Sequence, residues 1–221
     1  MRGKKCLLKN LVAWGVVPAL LLGLAASVPV QAGDLYAGVG FGNAKMTENN
    51  ICGVAGSLLS GGYSCSSSDN TNNAFKLVGG YQLMDVLGFE LSYLNFGGTS
   101  ANAKSTSTSV TAATTFDVDG FAFAGVGTLP ITKDFGLIGR VGMFRWKVQS
   151  EASIPGGRST LARDTKPGFA FNNIGVGFKY GISKTMDMRV EWERFKDVGN
   201  TLITGSSDIN LITLGLLYKF Q

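Results

Sequence analysis

The sequence contains no histidine and only five prolines among its 221 residues. The first absence excludes Ser-His nucleophilic catalysis, His-dependent acyl transfer and His metal sites together. Cysteine is nearly absent too. Cys6 belongs to an N-terminal leader, and Cys52 and Cys65 are the two that remain. Two thiols without histidine do not make a zinc site. Beyond residue 32 no apolar run is long enough for a transmembrane helix. That does not separate a secreted sandwich from a membrane barrel, whose strands give only weak hydropathy signals. Charge of one sign is also lacking. Four of the 20 basic residues (Arg2, Lys4, Lys5, Lys9) precede Gly33, and all 15 acidic residues follow it, so the chain from Gly33 onward carries a net +1. No nucleic-acid partner is implied. No catalytic site, cofactor or metal is expected.

The leader has the layout of an export signal. A basic n-region precedes the apolar stretch Leu11 to Leu24, and Val30-Gln31-Ala32 offers a small-residue cleavage site. We therefore read residues 1–32 as a signal peptide, rather than an uncleaved anchor, and residues 33–221 as one exported domain. In an oxidising compartment an even pair of cysteines is most simply a disulfide, so Cys52–Cys65 is expected. Closing that loop would stabilise by about 3 kcal/mol in the chain-entropy view.

The exported region alternates. Leu211 to Phe220 carries Ile212, Leu214, Leu216, Tyr218 and Phe220 on one parity, against Leu211, Thr213, Gly215, Leu217 and Lys219 on the other. In a strand these parities face opposite sides, so one face suits hydrocarbon and the other a polar interior. Seven further segments alternate similarly: 35–42, 74–83, 87–96, about 115–128, 136–148, 169–181 and 186–195. Their connections alternate as well. Residues 84–86, 129–134 and 182–185 are short, whereas 43–73, 97–114, 149–167 and 196–208 are long and rich in Ser, Thr, Asn and Gly. Short turns on one side and long polar loops on the other are the layout of a membrane barrel. The fold class expected is all-β: an eight-stranded antiparallel up-and-down transmembrane β-barrel. Its recurrent glycines would leave room for larger inward neighbours. Tyr81, Phe89, Tyr180, Tyr218 and Phe220 would form one interfacial girdle, and Phe41, Phe75, Tyr93 and Trp192 the other.

Particular motifs carry a resemblance. Gly177-Phe178-Lys179-Tyr180-Gly181-Ile182-Ser183 followed by Met188-Arg189-Val190-Glu191-Trp192 resembles a strand-turn-strand of the outer membrane protein A (OmpA) family. So do Leu129-Pro130-Ile131-Thr132 with Gly139-Arg140-Val141-Gly142, and Phe75 to Gln82 with Gly88 to Tyr93. The resemblance spans the whole exported region. Nothing like the peptidoglycan-binding domain of many members follows it before Gln221. It implies a Gram-negative-type outer membrane and an aromatic C-terminal assembly signal, here Tyr218 and Phe220, read by the barrel-assembly machinery. It also implies inward charged residues at Glu90, Arg140, Arg189 and Glu191.

From these we expect a buried network of Glu90, Arg140, Arg189 and Glu191, with Lys179 nearby, that blocks the lumen. Glu193, two residues from Glu191 on one strand face, would be solvated or paired at an extracellular rim. The function expected is membrane integrity, with surface loops free for interaction or adhesion; a narrow ion or small-solute pore is the alternative. The partners expected are outer-membrane lipid, lipopolysaccharide and an extracellular or host ligand. Ile51, Val54, Leu58, Leu59 and Tyr63 make the first loop the most apolar, and Lys104, Arg158, Arg163 and Lys166 are the loop cations that could meet lipopolysaccharide phosphates.

Overall fold

A computed structural model describes residues 34–48, 56, 59, 62–69, 71–154, 160–164, 168–200 and 205–220. Within them are ten strands: β1 (Leu35–Glu48), β2 (Tyr63–Asp69), β3 (Thr71–Met84), β4 (Leu87–Ser105), β5 (Thr111–Pro130), β6 (Phe135–Ser153), β7 (Thr160–Asp164), β8 (Gly168–Gly181), β9 (Met186–Asn200) and β10 (Gly205–Phe220). All pair antiparallel. Eight of them close a ring, β1-β3-β4-β5-β6-β8-β9-β10 and back to β1. The expected barrel is therefore present. β2 and β7 are additions at the long-loop end, where β2 lies on residues 100–105 of β4 and β7 on residues 149–153 of β6. Closure gives every wall strand two neighbours, so hydrocarbon meets no open edge.

The strands run farther than alternation in hydrophobicity suggests. β5 has 20 residues, whereas a membrane-spanning strand needs about 9–11. The surplus lies at the long-loop end, in segments expected to be loop. There both faces are built of Ala, Ser, Thr and Asn, so the hydrophobic signal of period two fades while the pairing continues.

Several of the wall strands also invert their polarity partway along. On β6, Leu137, Val141 and Met143 face outward; beyond them Arg145 and Lys147 face outward while Phe144, Trp146 and Val148 are buried inside. On β9, Met188, Val190 and Trp192 face outward, then Arg194 and Lys196, with Phe195 and Val198 inside. On β10, Ile212, Leu214, Leu216 and Tyr218 face outward, while Ile209 and Leu211 are buried. β1 switches between Phe41 outside and Ala44 and Met46 inside. These switch points mark where the wall leaves hydrocarbon for water. Below them the outward apolar residues form the belt, including the expected girdle residues Phe41, Phe89, Tyr180, Trp192, Tyr218 and Phe220. Tyr93 lies between Phe75 and Phe121 on the same outer surface, with ring centroids 5.8 and 5.2 Å away.

Residues 1–32, expected to be a signal peptide, lie outside the described residues, as do Cys52 and the side chain of Cys65.

Candidate functional site in the barrel lumen

The inward positions of the belt region hold charges. Tyr36 comes from β1, Lys76 from β3, Glu90 from β4, Arg140 from β6, and Arg189, Glu191 and Glu193 from β9. Each lies on the parity opposite the lipid-facing residues of its strand, so the strand period alone turns it inward. Glu90 accepts a hydrogen bond from the Tyr36 hydroxyl at 2.7 Å and pairs with Arg189 and, at 3.1 Å, with Arg140. Arg140 also reaches Glu191 at 3.3 Å and Glu193 at 3.1 Å. Lys76 closes the set, at 3.0 Å from Glu191 and 2.6 Å from Glu193. Asn173 donates to the other oxygen of Glu193 at 3.3 Å, and the Arg189 guanidinium lies 5.2 Å from the Tyr36 ring centroid.

Three cations meet three carboxylates, and each carboxylate touches two cations. Side-chain exposure does not exceed 7% at any of the six charges. A buried charge is tolerable only when so paired. The neutral total makes the layer self-contained: removing any one member leaves an uncompensated charge.

Four of the five expected network residues are brought together: Glu90, Arg140, Arg189 and Glu191. Lys179 is not among them. It stands directly opposite Arg189 on β8, a like charge, and pairs instead with Asp187 at 3.9 Å. Asp187 also accepts from Lys219 at 3.0 Å. This smaller cluster borders a cavity of about 500 Å³ at the short-turn mouth, lined also by Asp85, Lys133 and Asp134. Glu193 corrects the reading in the other direction. It is paired, as one of the two expectations had it, but fully buried in the network and not at a rim, because β9 continues past it to Asn200. Lys76, Tyr36 and Asn173 were missed. Their signal was parity: Lys76 shares a face with Gly80, and Tyr36 is the one large residue on the Gly38, Gly40, Gly42 face. The expected room-making glycines are there. A Cβ at Gly80 would overlap the Tyr36 ring, and one at Gly175 would lie 2.9 Å from the aliphatic stem of Arg140.

Above the ionic layer the lumen is apolar, where a polar interior was expected. Phe96, Phe144 and Phe195 interlock, with centroids 4.9 to 5.7 Å apart, and Phe144 also meets Trp146. Met46, Leu94, Phe116, Ile209 and Leu211 complete this cluster. Higher still, Ala103, Ala112 and Ala152 pack with Leu59 and Ile154.

A closed eight-strand ring with an apolar outer belt, a paired ionic layer and an apolar stopper defines a small transmembrane β-barrel with a filled lumen. A model of the OmpA-like transmembrane domain matches residues 30–221, and the chain belongs to that family. Outer membrane protein A of Salmonella typhi is 28% identical over 145 residues, which is 64% of this chain and 38% of the relative; the Shigella flexneri protein is 27% identical over 150 residues with the same coverage. The match thus spans well under half the length of these relatives. The fold is also that of the attachment invasion locus protein Ail of Yersinia pestis (TM-score 0.51, 13% identity, covering 86% of this chain and all of that one) and OprG of Pseudomonas aeruginosa (0.50, 14%, 86% and 97%). The protein is located in the outer membrane of a Gram-negative bacterium. The short-turn end therefore faces the periplasm and the long-loop end the cell exterior.

Proposed function

We propose that the protein is a closed, non-conducting barrel whose role is structural, with its extracellular extension available for surface contacts. The lumen carries this reading. An ion would have to pass both a charge layer in which every member is paired and a stopper of interlocked aromatic rings. The pore alternative has to open both. Planar-bilayer recording of the refolded barrel tests it: a baseline without steps supports the structural reading, and steady unitary conductance overturns it. Loss of the protein should sensitise cells to detergents and bulky antibiotics.

The contact role rests on the wall that β4, β5 and β6 raise above the membrane and that β2 and β7 widen. This surface presents backbone and small polar side chains to an extracellular or host ligand. We assign no enzymatic activity. Glu191 and Glu193, a carboxylate pair that could do acid-base work, are each held by Lys76 and Arg140 away from solvent. Export would remove residues 1–32, and Cys52–Cys65 would pin the first loop. Tyr218 and Phe220, which face outward with centroids 5.2 Å apart, would be the assembly-machinery signal. Lipopolysaccharide would be the lipid neighbour.

A further inference from the structure

We propose that one face of the barrel, β6-β8-β9, is a binding site for an acylated, bisphosphorylated glycolipid of the outer leaflet, the lipid A portion of lipopolysaccharide. The proposal deepens the lipid-neighbour reading above and rests on it. Directly above the apolar belt, the first two outward positions on β6 are Arg145 and Lys147, and the first two on β9 are Arg194 and Lys196. Both strands thus read apolar, apolar, Arg, Lys: Val141, Met143, Arg145, Lys147 and Val190, Trp192, Arg194, Lys196. Arg194 lies about 7 Å along the strand from Trp192. β8 runs between the two, and the register sets Arg145 opposite Phe169 but Arg194 opposite Ile174, so the cationic pairs stand about 10 Å apart across the sheet and are staggered along it.

β8 adds a second feature. Where β6 and β9 turn basic, it keeps Phe169 and Phe171 outward, 64% and 71% exposed, and Phe169 is the register partner of Arg145. Below them a cleft of about 530 Å³ runs down the same face between Leu137, Val176, Phe178, Val190, Trp192 and Ile212. An apolar trough under two cation pairs with aromatics between them matches an amphiphile with acyl chains below and phosphates above. The other side of the barrel lacks this. On β3, β4 and β5 the corresponding outward positions hold Asn73, Asn95, Asp119 and Asp117.

Three acids border the site. Asp208 pairs with Arg194 at 2.8 Å, Asp119 is the register partner of Lys147, and Asp197 is exposed beside Lys196. Four cations against these three acids leave the face positive. Lys104, one of the loop cations first considered for phosphates, is outward-facing near the top of β4, eleven residues past Tyr93 and far above the phosphate level. Arg158 and Lys166 lie outside the described residues, as does the side chain of Arg163.

The test uses the refolded barrel of residues 33–221 in neutral detergent, titrated with bisphosphorylated lipid A and read by native mass spectrometry. Arg145→Gln/Lys147→Gln and Arg194→Gln/Lys196→Gln should each weaken binding by about 5-fold per cation removed, whereas Lys104→Gln should not. Dephosphorylated lipid A should bind the parent as weakly as lipid A binds the four-site variant. Asp208→Asn, which frees Arg194, should bind lipid A more tightly, a gain that a purely structural role for Arg194 would not give. Unchanged affinity in the four-site variant overturns the proposal, as does equal loss in Lys104→Gln. Equally tight binding of phosphatidylglycerol to the parent makes the face a general anion belt and overturns the lipid A assignment. An unboiled gel shift identical to the parent shows that a variant is still a barrel, so lost lipid binding is distinguished from a failed fold.

Discussion

Lys76→Met removes one cation from a neutral set of six. The substitution keeps the length of the aliphatic stem and adds no void, so the loss is electrostatic. Glu191 and Glu193 lose their contacts at 3.0 and 2.6 Å. Both then depend on Arg140, at 3.3 and 3.1 Å, which Glu90 also engages at 3.1 Å. Removing one member of a buried pair costs about 3–5 kcal/mol, because the charge left behind has neither water nor partner. The single variant should lose that much in equilibrium urea unfolding in phospholipid vesicles, followed by tryptophan fluorescence and by the unboiled gel shift.

The double variant Lys76→Met/Glu193→Leu restores neutrality with Glu90 and Glu191 against Arg140 and Arg189. Asn173 loses its acceptor, at about 1 kcal/mol. The double variant should therefore lie closer to the parent than Lys76→Met does, with a coupling energy of about 2 kcal/mol or more. A loss below about 1 kcal/mol in the single variant, or additive effects in the double, would refute the argument. Either result would mean that water reaches Lys76 and that the layer is a hydrated vestibule rather than a seal.

The adjacent glycines Gly79 and Gly80 face opposite ways. Gly80→Ala should destabilise by about 1–3 kcal/mol by displacing the Tyr36 ring, while Gly79→Ala, with nothing near its Cβ, should stabilise by about 0.5 kcal/mol; the same urea titration compares them. Phe195→Ala should cost about 3–5 kcal/mol by opening the aromatic stopper, yet leave bilayer conductance at baseline, because the ionic layer beneath stays shut. Asp208 lies above the belt, and the hydrogen bond from Arg194 holds its carboxyl below the ordinary value, with help from the Asp197 amide at 3.0 Å. A folded value below the unfolded one gives a contribution that is complete above about pH 4 and lost as pH falls through the folded value. Exposure keeps it below about 1 kcal/mol, so the protection of the Asp197 amide, relative to the intrinsic exchange rate at each pH, should fall on acidification in the parent and be low at all pH in Asp208→Asn.

The barrel and four of the six charges of its ionic layer were legible in the sequence: the barrel follows from the period of two, and the charges from that period together with the family resemblance. Once Ile212, Leu214 and Leu216 are set in lipid, Leu211 and Thr213 must face the lumen, and the same rule turned Glu90, Arg140 and Arg189 inward. What the sequence withheld was height. Lys179 and Glu193 share the inward parity with the network, yet lie at opposite ends of it. Only the register places Lys179 across from Arg189 and Glu193 within reach of Lys76. The length of the wall was hidden for a different reason. Strand signals were sought as apolar alternation, and segments such as Thr99 to Ser105 pair through their backbones without it.

The polarity inversion along β1, β6, β9 and β10 explains why the lumen is stacked as it is. Inside the belt an apolar side chain gains nothing by turning inward, because lipid is as apolar as any core. Outward positions there go to Leu, Val and Phe, and the interior is decided by which polar groups can satisfy one another. Above the belt the wall stands in water. There an inward Phe96, Phe144 or Phe195 removes apolar surface from solvent and is stabilised at about 25 cal/mol per Å², as in a soluble barrel. One continuous sheet thus folds by membrane rules below Trp192 and Met143 and by aqueous rules above them. The ionic layer belongs to the first regime and the aromatic stopper to the second. Replacing Phe144 by Arg would therefore be more damaging than replacing Met143, one residue away on the same strand but facing out beside the Arg145 level, where a long cation can reach the headgroups.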